Sequence, residues 1–145
     1  MKRQMLSIAA ALVLLLTACS QQRGPAGGAE GPEAQAVTVL DAGVWPENEY
    51  TAGLPVPPGT VEAAMLDTEH QNCWISMVGM DERAYEDYLA LLAQEGFSVV
   101  EEVTEKIRGQ EYMSSGLLLS DGEKALSISY IPDRFGLYIS FAADG

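Results

Sequence analysis

Cations are scarce in this chain of 145 residues, where eight Lys and Arg face 21 Asp and Glu and there is a single histidine. Lys2 and Arg3 precede an apolar run; without them six cations stand against the 21 carboxylates, a formal charge of −15. Binding a nucleic-acid backbone needs clustered cations to neutralise phosphates, so nucleic acid is not an expected partner. Cysteine is equally sparse. Only Cys19 and Cys73 are present, with no paired cysteines of a zinc site and no His-Glu-x-x-His segment. A phosphate-binding loop, a dinucleotide glycine fingerprint and a Gly-x-Ser-x-Gly elbow are also missing, so no cofactor is expected and no catalytic residue is assigned. Long apolar runs are absent as well. The run at residues 6–18 has 13 residues, short of the roughly 20 that span a bilayer.

That short run has a different meaning at its position. It follows the basic start MKRQM and ends in Leu16-Thr17-Ala18-Cys19, which reads as a cleavable export signal. The four residues resemble the bacterial lipoprotein processing motif, in which the cysteine becomes the new N-terminus after a diacylglycerol is attached to its sulfur. The resemblance implies a signal peptide at 1–18, lipidation at Cys19, and attachment to the extracytoplasmic face of a bacterial membrane, inner or outer. Two acyl chains suffice for durable anchoring, since burial contributes about 0.8 kcal/mol per CH₂. Residues 20–36 carry four glycines and two prolines and no aromatic or β-branched residue. Such a stretch is a flexible tether rather than a packed element, which leaves residues 37–145 for one globular domain.

Within that domain the apolar pattern is mixed. The 48% apolar content argues against a disordered acidic chain. Residues 37–44 allow a short extended segment, and the prolines between Trp45 and Gly59 exclude a central strand or a long helix there. Trp45, Tyr50 and Leu54 are expected to dock this irregular segment. Residues 60–67 and 73–79 read as strands joined by a polar turn. The second carries apolar groups on both faces, so it is expected near the sheet centre, with the proline-rich segment over part of its second face. Asp81 and Gly96 bracket one helix whose Tyr85, Tyr88, Leu89, Leu92 and Ala93 fall at helical spacing. Residues 97–103 and 125–131 are strand candidates, with an uncertain reversal near Arg108-Gly109, an interruption at Gly116 and a hairpin signal at Asp121-Gly122. Residues 132–136 read as the last turn, after which Leu137, Ile139 and Phe141 point inward. The fold class is therefore α+β: a two-layer domain with one amphipathic helix on a mainly antiparallel sheet of about five or six strands.

Trp45-Pro46, Asn48, Leu54-Pro55 and Pro57, followed by a hairpin and a helix ending at Gly96-Phe97, resemble an uncharacterised family of small bacterial lipoproteins. The resemblance covers residues 45–141. It implies a cell-envelope location and a small α/β domain, with no catalytic residues to carry over.

The remaining chemistry-bearing residues read as structural. Lipidation of Cys19 leaves Cys73 alone, as a small buried strand side chain, and His70 three residues away has no set geometry toward it. Glu82, Glu86 and Asp87 form a solvated helix face, and Asp121 and Glu123 lack the spacing of a calcium loop. Glu101, Glu102 and Glu105 are expected to limit association between sheets. A membrane-tethered, noncatalytic envelope binding or assembly module follows; a structural surface protein and a small enzyme are the alternatives. Its partner is expected to be an envelope or extracellular protein or another surface component, with cationic partners favoured and oligomeric state open.

Overall fold

Alternating apolar and small polar residues build seven strands between residues 36 and 143, the residues described by this computed structural model. The expected export signal, Cys19 and the expected tether up to residue 35 lie outside the described residues. In chain order the elements are β1 (Val37–Leu40), β2 (Thr60–Asp67), β3 (Asn72–Val78), α1 (Glu82–Gln94), β4 (Ser98–Lys106), β5 (Met113–Ser120), β6 (Lys124–Ile131) and β7 (Arg134–Phe141). They form one sheet in the order β1-β2-β3-β7-β6-β5-β4, and every neighbouring pair is antiparallel. The helix lies on one face, which makes the two-layer α+β architecture.

The sheet has more strands than expected because β1 pairs with the end of β2 and β5 runs unbroken through Gly116. Ladder bonds from both neighbours hold Gly116 in the strand, outweighing its weak intrinsic preference for one. The last turn is also shorter than expected. It contains only Pro132 and Asp133, with Asp133 in the left-handed region at φ 71°, so Phe135 becomes a core residue of β7.

Three stacked rows of side chains form the core. Cys73, Ile139, Leu126 and Leu119 make one row across β3, β7, β6 and β5, and Ile75, Leu137, Ile128 and Leu117 make the next. Met77, Phe135 and Tyr130 begin the third. Onto these rows α1 places Tyr85, Tyr88 and Leu92, all buried. The Tyr85 ring stacks on Tyr130 at 4.1 Å, and Tyr88 meets Phe135 edge-on at 5.7 Å, the latter in the T-shaped arrangement that aromatic quadrupoles favour. The stripe is shifted from the one read off the spacing: Ala84 and Leu89 are half-buried at its margin, whereas Ala93 faces solvent.

Chemistry at each end fixes the helix. Asp81 Oδ1 accepts from the Ala84 N–H at 2.8 Å. At the other end Gly96 N–H reaches Ala93 O and Phe97 N–H reaches Leu92 O, both at 3.1 Å. This is the double bond pattern that a left-handed glycine permits, and Gly96 has φ 97°.

The proline-rich segment lies beside the helix, on the same side of the sheet. Asn48 organises it: its Oδ1 accepts from the backbone N–H groups of Tyr50 and Thr51, and its Nδ2 donates to Cys73 Sγ at 3.6 Å. Tyr50 and Leu54 are buried, Tyr88 donates its hydroxyl to Pro55 O at 3.0 Å, and the Lys124 ammonium donates to Ala52 O. Phe141 shares this side, where its ring meets that of Tyr50 at 4.9 Å in a tilted contact and stays partly exposed. Both covering elements thus occupy the Cys73/Ile75/Met77 side of β3, and no element of residues 36–143 covers the Trp74/Ser76/Val78 side.

Candidate functional site

That uncovered side has an ordered surface, because the register of the sheet aligns outward residues into rows. One row crosses the sheet as Val39, Met65, Trp74, Tyr138, Ser127 and Leu118. It is mostly apolar. The next row is small: Ala63, Ser76, Gly136, Ser129 and Gly116, ending at Val103 on β4. Beyond it stand Val78, Arg134 and Ile131. Large residues on both sides of a small row leave a trough of about 420 Å³, within the roughly 300–1,000 Å³ of small-ligand sites.

Besides the core residues Tyr130 and Phe135 that border it, its lining combines one further aromatic, several hydroxyls and one ion of each sign. Trp74 stands on one side, half-buried, with Ser76, Ser129 and Ser114 supplying hydroxyls. Arg134 and Glu105 also line the trough. The two glycines of the floor differ in origin. A Cβ on Gly136 would come within 2.5 Å of Ser129 Oγ, so a side chain there displaces that hydroxyl. A Cβ on Gly116 would meet only Val103 O, at an ordinary 3.7 Å. Neither glycine has a positive φ.

The residues singled out from sequence lie elsewhere. His70 is in the exposed β2–β3 turn, where its Nδ1 pairs with Asp67 Oδ2 at 2.8 Å. The hydrogen bond that the ring donates to that carboxylate is the main reason that the His70 pKa is raised. Cys73 is fully buried on the other side of the sheet from Trp74; burial pushes its thiol up, against a smaller opposing effect from the Asn48 amide. Histidine and thiol therefore have separate partners and are not brought together. Asp121 folds back into its own turn, accepting from the N–H groups of Glu123 and Lys124 at 2.9 and 2.7 Å. Partial burial works against its charge, but those amides outweigh it and hold the carboxyl below the usual range. Glu82, Glu86 and Asp87 are exposed on α1, and among the described residues no group of three or more His, Cys, Asp or Glu is placed to hold a metal ion. No described helix is long and apolar enough to cross a membrane. Cys19, the lipidation candidate, lies outside the described residues.

The trough residues carried one sequence signal, the Ser and Gly at outward positions of four strands. Seeing them as a site requires the register, which sequence alone left open between residues 103 and 125. No protein-family model and no curated protein matches the chain. The resemblance to small lipoproteins therefore stands on Trp45-Pro46, Asn48, Leu54-Pro55 and Pro57 and on the hairpin and helix that follow them.

Proposed function

We propose that this chain is a membrane-tethered bacterial lipoprotein whose domain is a noncatalytic binding module working through the uncovered face of its sheet. The contrast between the two faces carries the binding part. One face is sealed by α1 and the proline-rich segment, while the other holds a trough between rows of larger side chains. Its polar groups are hydroxyls and one ion of each sign, with neither imidazole nor thiol among them, which favours binding over turnover. The tether part rests on MKRQM, the apolar run and Leu16-Thr17-Ala18-Cys19.

Each part has its own test. Expression of the whole chain in a bacterium, followed by mass measurement of the mature N-terminus, is expected to show diacylglycerol on Cys19 and none in Cys19→Ser. An unlipidated parent protein starting elsewhere would overturn the tether. For binding, a photocrosslinking residue at Ser127, on the uncovered face, is compared in living cells with one at Glu86, on α1. Adducts are expected from position 127 and not from 86; none from 127 would reject the face as a binding surface.

A further inference from the structure

We infer that the trough binds a neutral, hydroxyl-rich ring ligand, a sugar unit of a surface glycan, seated against Trp74 over the floor of Ser76, Gly136, Ser129 and Gly116. The inference rests on the binding-module reading and specifies the ligand. Three observations carry it.

The first is Gly116. Glycine in the interior of a strand weakens it and commonly marks a close approach by something else. At Gly116 the backbone is ordinary and there is room for a side chain. Neither conformation nor packing within the domain accounts for a glycine here. What it does is deepen the trough.

The second is the kind of polar group on offer. The floor spans β3, β7, β6 and β5, each hydrogen-bonded on both sides. Their backbone N–H and C=O groups are engaged in the ladders, so an extended peptide finds no free main chain to pair with. Ser76, Ser129 and Ser114 instead present hydroxyls, which both donate and accept, as ligand hydroxyls do. Strands lie about 4.8 Å apart, so the four floor positions extend over roughly 14 Å, long enough for more than one ring. Trp74 adds an apolar surface for the C–H face of a sugar, with a polar N–H at its edge.

The third is charge. Residues 36–143 contain 18 carboxylates and five Lys and Arg, so a polyanion is repelled by the domain as a whole. The trough itself is lined by one ion of each sign, Arg134 on β7 and Glu105 on β4, so a polycation gains no net attraction there. A neutral ligand avoids that repulsion and needs no net charge in the trough, and the two ions serve as charge-assisted partners for hydroxyls.

The test uses isotope-labelled protein recovered from cells expressing the whole chain. Amide shifts are followed by NMR during titration with N-acetylglucosamine, glucose and mannose trimers and, in parallel, a hexalysine peptide. At least one neutral trimer is expected to move the amides of Ser76, Gly116, Ser129 and Gly136 saturably, at a concentration of about 10 mM or less. Trp74→Ala is expected to weaken that binding about tenfold or more. Gly116→Val is expected to abolish it without lowering the thermal midpoint, since the strand gains a β-branched residue whose Cβ makes only an ordinary contact, 3.7 Å from Val103 O. Unchanged binding in Gly116→Val rejects the trough as the sugar's seat. Shifts at these amides with hexalysine and none with any sugar reject the glycan while leaving the binding module intact. No shift with any probe rejects the glycan; the further absence of photocrosslinks from position 127 rejects the module too.

Discussion

Local side-chain chemistry sets several turns of this domain, and it was only partly legible in the sequence. Asn48 shows the limit. Trp45, Tyr50 and Leu54 announced themselves as anchors by size, and all three pack on the core, Trp45 only partly buried. Asn48 ties the same loop to Cys73 across 25 positions of sequence, a partner that no local pattern reveals. In the β2–β3 turn, Asp67 accepts from the backbone N–H of His70 and of Glu69 as well as from the His70 ring. The His70 amide contributes most, against slight desolvation, and the Asp67 carboxyl is held below its ordinary range. Its stabilising effect is present above the unfolded carboxyl pKa and is lost as pH falls through the lowered folded value. His70 works in the opposite sense: its effect is complete below the ordinary value of 6.5 and is lost as pH rises through the raised one. The pair is thus strongest in mildly acidic solution. An NMR titration of His70 is expected to give a midpoint above 6.5, returning toward that value in Asp67→Asn; equal midpoints would show that the pair does not form in solution.

Among the elements, the helix was the most legible, because both of its ends carry chemical marks and its apolar positions recur at 3.6 spacing. Periodicity fixes a stripe only to within a residue at its edges, hence the exchange of Ala93 for Ala84. Burial then decides where substitution is costly. Leu92 is fully buried on the core, so Leu92→Ala is expected to cost about 2–5 kcal/mol through lost transfer energy and an incompletely closed cavity. Leu89→Ala should cost less, since Leu89 is half-buried, and exposed Leu91→Ala should stay within about 0.5 kcal/mol. Urea unfolding of the three variants measures that order; a Leu91 effect as large as that of Leu92 would place the helix in a different rotation. Strands were less legible where they contain glycine. Gly116 and Gly136 read as breakers, yet each lies inside a strand bonded on both sides, and both line the trough. The residues that hid the strand boundaries are those that shape the candidate site.

At the scale of the whole molecule, an open sheet has two edges, and they are protected differently. β1 is only four residues long. β4 has nine residues, every one exposed, and includes Val99, Val100 and Val103. A long exposed edge with three valines is a ready template for pairing with another chain. Two features oppose that here. A register shift between Val99 and Glu101 interrupts regular pairing at Val100, and Glu101, Glu102 and Glu105 would face carboxylates of a second copy in an antiparallel β4–β4 pair. The surrounding excess of carboxylates adds longer-range repulsion, which salt screens to about 3 Å at 1 M. Glu101→Thr, Glu102→Thr and Glu105→Thr together remove the repulsion and substitute a residue with better strand preference, while leaving the buried core untouched. The triple variant is expected to associate at concentrations where the parent chain does not, as read by light scattering across a dilution series, and 1 M salt should shift the parent toward the same behaviour. A triple variant with the parent's scattering at every concentration would assign protection of this edge to the bulge, and restoring regular pairing by deleting Val100 would then be the change that produces association.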